Sequence, residues 1–168
     1  MKVFGTDMEL VTFIFLILET VMLISQFLLS LQRPKDKKRV YYLVLLALFI
    51  FYNLFGGLFP DPNSKIAPLH IQNLLAWGSG FALACFMPFY VYKAFNFQKL
   101  RFHALYGVWL FLILPFVVCF GIEYAVSGNI DRVVKHAVVI PFIYAIICAN
   151  AVYRSIKQKQ LQDHQSNK

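Results

Sequence analysis

The sequence predicts an all-α fold: a polytopic membrane bundle of five transmembrane helices, N-terminus outside and C-terminus cytoplasmic. Three observations predict it. Hydrophobic residues make up 60% of the 168 residues and charged residues 14%, against roughly 45–50% and 25% in soluble domains. Several apolar runs approach or exceed the ~20 residues that cross a bilayer. The charges lie between those runs, and their signs are unequal on the two sides.

Helix 1 is expected at about 10–31, an unbroken Leu/Ile/Phe/Val/Met run. The basic loop Arg33-Pro34-Lys35-Asp36-Lys37-Lys38-Arg39 follows. Helix 2, about 40–59, ends at Gly56-Gly57 and the turn Pro60-Asp61-Pro62-Asn63. Helix 3, about 68–95, starts at Pro68, which suits a first helical turn. From Ile71 to Ala94 only Lys93 is charged. Helix 4 is expected at about 104–126, and helix 5 at about 131–153 after the turn Ser127-Gly128-Asn129. Residues 1–153 thus form one five-helix domain, and 154–168 a short polar cytoplasmic tail able to prolong helix 5.

Orientation follows from cation placement. The 1–2 loop, the 3–4 region (Lys93, Lys99, Arg101) and the tail (Arg154, Lys157, Lys159, Lys168) hold twelve Lys/Arg, and the other side four: Lys2, Lys65, Arg132 and Lys135. Asp7, Glu9, Asp61, Glu123 and Asp131 fall on the cation-poor side, with only Asp36 and Asp163 opposite. Topology therefore explains the net charge of +8, and a nucleic-acid partner is not expected. Lys2 is soon followed by Asp7 and Glu9, with no small-residue cleavage site after the first run, so that run reads as a retained helix. Cys85, Cys119 and Cys148 lie inside apolar runs and read as packing thiols, with no disulfide or metal spacing.

Glu19 is the sharpest single feature. A charged acid at mid-bilayer costs roughly 2.5–3.5 kcal/mol to insert. Thr12, Glu19 and Gln26 are seven apart and Ser30 follows, so they share one helical face. Two readings stand: a proton-responsive or ligand-contacting carboxylate, or a protonated residue hydrogen-bonded to another helix as packing glue. Asn53, Gln72 and Asn73 are candidate partners, and helix 3 is the surface Glu19 is expected to work against.

His70 and His136, with Glu123 and Asp131, gather toward the outer side. Imidazoles and carboxylates can bind zinc or respond to pH, and two histidines can ligate haem. No short-spaced ligand pair accompanies them, so no metal and no cofactor is expected. Ala76, Gly80 and Ala84, four apart, form a small-residue packing face. Pro88, Pro115 and Pro141 are expected to kink helices 3, 4 and 5. The aromatic run Phe86 to Tyr92 suits an interfacial anchor.

Residues 70–107, HIQNLLAWGSGFALACFMPFYVYKAFNFQKLRFHALYG, carry IQN at 71–73, PFYVYKAF at 88–95 and LRFHALYG at 100–107. In this texture the chain resembles the membrane-embedded N-terminal sensor or anchor regions of bacterial signalling proteins, chiefly sensor histidine kinases. The resemblance runs through Pro115 and Pro141 toward the tail. It implies a multi-pass protein of the inner (cytoplasmic) membrane whose last helix leads to a cytoplasmic output domain. Residues 154–168 hold no phosphoacceptor-histidine domain, ATP-binding glycine box or receiver domain. The chain is therefore expected to work on a partner, or to be a shortened relative without its output.

The function expected is a membrane sensor or signalling-associated module, not an enzyme. No Ser/His/Asp set, phosphate loop or carboxylate pair stands at a water-accessible face. Its expected partners are the lipid bilayer and either a cytoplasmic signalling protein or a second copy of the chain. One alternative is a small transporter or channel subunit using Glu19. Another is a haem- or quinone-binding subunit using His70 and His136.

Overall fold

The computed structural model describes residue 3 and residues 8–32, 35–62 and 67–166, with side chains as far as 161. The expectations resting on Lys2, Asp7, Arg33, Pro34, Asn63, Lys65 and Lys168, and on the side chains of Asp163 and His164, lie outside the described residues. Among the described residues five helices are long and apolar enough to cross a membrane. They are α1 (Leu10–Gln32), α2 (Lys37–Leu58), α3 (Leu69–Phe95), α4 (Gln98–Ser127) and α5 (Ile130–Ser166). An apolar chain in lipid must satisfy its backbone within each segment, which a helix does. The chain divides inside α3 into two compact units, Met1–Phe86 and Met87–Lys168.

In the first unit α1 packs against α2 along one seam. Thr12, Leu16, Glu19, Leu23, Gln26 and Ser30 are half-covered, while most other α1 side chains are exposed and none is buried. The alternating spacing of four and three is the narrow stripe of a two-helix contact. α2 starts at Lys37 because Asp36 caps it: its side chain accepts from the Lys38 N–H at 3.1 Å. Near the far end of α2, a Cβ on Gly57 would lie 2.9 Å from Met8 Cε and 3.2 Å from Thr12 Cγ2, so a larger residue there would push the Met8 side chain aside. α3 begins after Pro68, whose carbonyl accepts from the N–H groups of Ile71 (2.9 Å) and Gln72 (3.1 Å). Of the small residues in α3, Gly80 faces the Tyr52 ring, 3.3 Å from where its Cβ would stand, while Ala84 is exposed. Here the small face accommodates an aromatic ring rather than a second small residue.

In the second unit α3 ends at Asn96, in the left-handed region at φ 55, which Asn tolerates better than most residues. The helix restarts at Gln98. Gly128 closes α4 at φ 61, its N–H bonding to the Tyr124 carbonyl at 2.9 Å. Asn129 then caps α5, its Oδ1 accepting from the Arg132 N–H at 3.1 Å. α5 runs 37 residues, well past Tyr153. Residues 154–166 contain no Pro or Gly and are rich in Lys and Gln, which favour helix.

α4 departs from an ordinary kinked helix. Three stretches, His103–Gly107, Trp109–Ile113 and Val117–Glu123, are π-helical. Val108 bonds to the His103 carbonyl, Leu114 to Trp109 and Tyr124 to Cys119, each five residues back. Pro115, with no N–H to donate, sits in the short α-helical piece between two of these stretches. Widened winding is rare and tends to mark functional segments.

The buried interior of this unit is built by α4 and α5: Leu100, Val133 and Ala137 are wholly covered, and Phe120 and Tyr144 nearly so. The Tyr144 ring stacks on Phe111 with centroids 5.0 Å apart, and its hydroxyl donates to the His103 carbonyl at 3.1 Å. Gly107 leaves the space this ring occupies, since a Cβ there would overlap the Tyr144 hydroxyl.

Candidate functional site

Three polar constellations interrupt this apolar architecture. The first joins α1 to α2. The Asn53 Nδ2 donates to both carboxyl oxygens of Glu19, at 2.7 Å to Oε1 and 2.9 Å to Oε2, and the pair is half-buried. The α1 seam carries Glu19 to α2, and Asn53 is the α2 residue that receives it. Three hydroxyls of α1 turn back on their own helix: Thr20 donates to the Leu16 carbonyl, Ser25 to Val21 and Ser30 to Phe27. Gln26 is half-covered on the same seam.

Of the three candidate partners for Glu19, Asn53 fills the role, on α2 rather than on α3. Gln72 does something else. It is 1% exposed, its Oε1 accepts from the Asp61 N–H at 2.7 Å, and its Nε2 donates to the Ala67 carbonyl at 2.8 Å. It therefore bridges the two ends of the α2–α3 connection. Asn73 is buried beside it, and His70 is exposed in the first turn of α3.

The second constellation lies across the α4–α5 turn. Glu123 Oε1 stands 2.8 Å from His136 Nδ1 and 3.4 Å from Arg132 Nε. Gly128 and Asn129 reverse the chain so that residues 123 and 136 come level. The carboxylate is 24% exposed, against 55% for His136 and 66% for Arg132. It is thus a half-covered acid gripped by two groups reachable from outside the protein. Among the described residues no three His, Cys, Asp or Glu side chains gather as a metal site. Asp131 is exposed in the first turn of α5.

The third constellation was missed in the sequence, where its cations counted only toward topology. Lys99 and His103 of α4 and Ile147, Asn150, Arg154 and Lys157 of α5 line an open groove of about 590 Å³. The signal was present: Lys99 and His103 are four apart, as are Asn150 and Arg154, with Lys157 three further on. Each set falls on one face only if both segments are continuous helix.

In comparison with known proteins, the chain matches no protein-family model, no curated protein and no solved structure. The class therefore rests on the molecule itself. Five apolar helices, largely exposed along their lengths, define a multi-pass helical membrane protein.

Proposed function

We propose that this protein is an integral membrane sensor or signalling-associated module of the inner membrane, relaying a bilayer or outer-face cue to a cytoplasmic partner. The orientation proposed has the N-terminus outside and the C-terminus in the cytoplasm, on the twelve-to-four cation bias. The observation that carries the reading is α5. It is one helix of 37 residues with Pro141 in its interior, about 55 Å long at 1.5 Å per residue, against a hydrocarbon core of ~30 Å. One end holds His136 and Arg132 on Glu123. The other holds Arg154, Lys157 and Lys159. A helix that continues through Pro141 joins the first end to the second, so a movement or bend at one is felt at the other. The chemistry suits reception and relay rather than turnover, and a cytoplasmic partner or a second copy would read the movement.

The test is cross-linking and purification of the full chain from its native membrane, followed by phosphotransfer assays on any signalling protein that accompanies it. Glu123→Gln with His136→Gln is expected to change the partner's phosphorylation at least severalfold while leaving the complex intact. If no signalling protein accompanies the chain and its deletion leaves phosphotransfer unchanged, the reading fails.

A second reading, a small transporter or channel subunit, is favoured by the Glu19–Asn53 pair. An interhelical hydrogen bond in a membrane contributes about 0.6 kcal/mol on average, well below the roughly 2.5–3.5 kcal/mol cost of a central charged acid. Stability alone gives little reason for a carboxyl at this position. Proteoliposome flux abolished by Glu19→Gln would support transport, and flux unchanged by it would remove the argument.

A further inference from the structure

We propose that the groove between α4 and α5 is a binding site for the phosphate headgroup of an anionic phospholipid. This inference is independent of the sensor reading. The groove, about 590 Å³, falls within the ~300–1,000 Å³ typical of ligand sites. Three cations line it, Lys99, Arg154 and Lys157, drawn from two helices. Among the described residues none of the three pairs with a carboxylate. Lys93, by contrast, is held over the rings of Phe89 and Tyr92, with its Nζ 5.9 and 5.1 Å from their centroids. Among the described residues the groove cations are thus an uncompensated charge cluster at one spot, where an anion is the complementary occupant.

Two further features define the ligand. His103 lines the wall, and its Nδ1 is buried without a hydrogen-bond partner. The ring packs against Phe102 and Tyr144, so His103 forms a wall of the groove beside the cations. Along α5 the lining changes character: Ile147 precedes Asn150, which precedes Arg154 and Lys157. Ile143, one turn before Ile147, is 54% exposed and continues the apolar track. Charge at one end and an open apolar track at the other match an amphiphile lying along the helix, with its headgroup at Arg154 and its acyl chains beside Ile147 and Ile143. A free phosphate would use only the first half of this surface. A second groove, of about 420 Å³, shares Lys99 and Gln158 and adds Lys159, extending the basic surface around the same point.

The test is native mass spectrometry of the full chain in neutral detergent, titrated with phosphatidylglycerol or phosphatidylcholine. Wild type is expected to retain phosphatidylglycerol preferentially. A basic residue at an anionic lipid surface contributes enough that each cation lost should weaken retention about fivefold, hence about twenty-five-fold for Arg154→Gln with Lys157→Gln. Lys135→Gln, a cation outside the groove, should have no effect. Should the double variant fail to fold by circular dichroism, Lys99→Gln carries the test with its fivefold loss. Equal retention of the two lipids overturns the proposal, as does an equal loss in Lys135→Gln. Displacement of phosphatidylglycerol by millimolar inorganic phosphate assigns the groove to a soluble phosphate instead and overturns the lipid assignment.

Discussion

The α1–α2 pair and the α4–α5 pair hold together by different means. α1 has no buried residue and meets α2 along a half-covered seam on which Asn53 donates to both carboxyl oxygens of Glu19. α4 and α5 enclose a buried interior in which Tyr144 fills the space left by Gly107 and reaches the His103 carbonyl. Lipid tails are as apolar as leucine, so burial of apolar surface scarcely drives helices together in a bilayer. Shape fit and polar bonds must do so. The second pair relies mainly on fit, and the first on a narrow seam with a polar clasp. The first contact leaves α1 half-covered at best, whereas the α4–α5 contact must stay closed to keep its ring in place.

The largest expected effect is on the fitted pair. Tyr144→Ala empties the space beneath Phe111 and should destabilise by about 3–5 kcal/mol, read as a large drop in the unfolding midpoint in micelles. Gly107→Ala should cost about 1–3 kcal/mol by overpacking, because the Tyr144 hydroxyl must leave its place and with it the His103 carbonyl. A thermal melt within error of wild type for both would erase the contrast. In the first unit Asp36→Ala removes the cap of α2 and should cost about 1 kcal/mol, seen as early fraying in hydrogen exchange at Lys38 to Val40.

The smallest effect sharpens the comparison most. A double-mutant cycle of Glu19→Gln and Asn53→Ala should give a coupling near 0.6 kcal/mol. Glu19→Leu should raise stability, since it removes a mid-helix acid and leaves only the Asn53 amide without its acceptor. If Glu19→Leu destabilises by more than Gly107→Ala, the pair is a structural linchpin, and the clasp description of α1–α2 is wrong.

Parts of this picture were legible from local pattern. Length and apolarity set the five helices, because a bilayer admits few alternatives. The spacing of Thr12, Glu19 and Gln26 named the face of α1 that turns to a neighbour, since residues seven apart lie on one side of a helix. Ser127-Gly128-Asn129 announced its turn through a left-handed glycine and a capping asparagine. Asp36 was legible too, as an aspartate before an apolar run, but its neighbouring cations drew it into the charge tally.

What only the tertiary structure decided is which distant groups meet. Glu19 and Asn53 are 34 residues apart, and Tyr144 and His103 are 41 apart. Helical periodicity says which way a side chain faces within one helix, but not which helix it faces or at what height. So Asn53, and not Gln72 or Asn73, proved to be the partner of Glu19, while Gln72 turned to the Asp61 N–H and the Ala67 carbonyl. Lys99 and Arg154 became one groove for the same reason. Register between helices is fixed by fit at residues such as Gly57 and Gly107, and the space beside a glycine is written in the side chain opposite it.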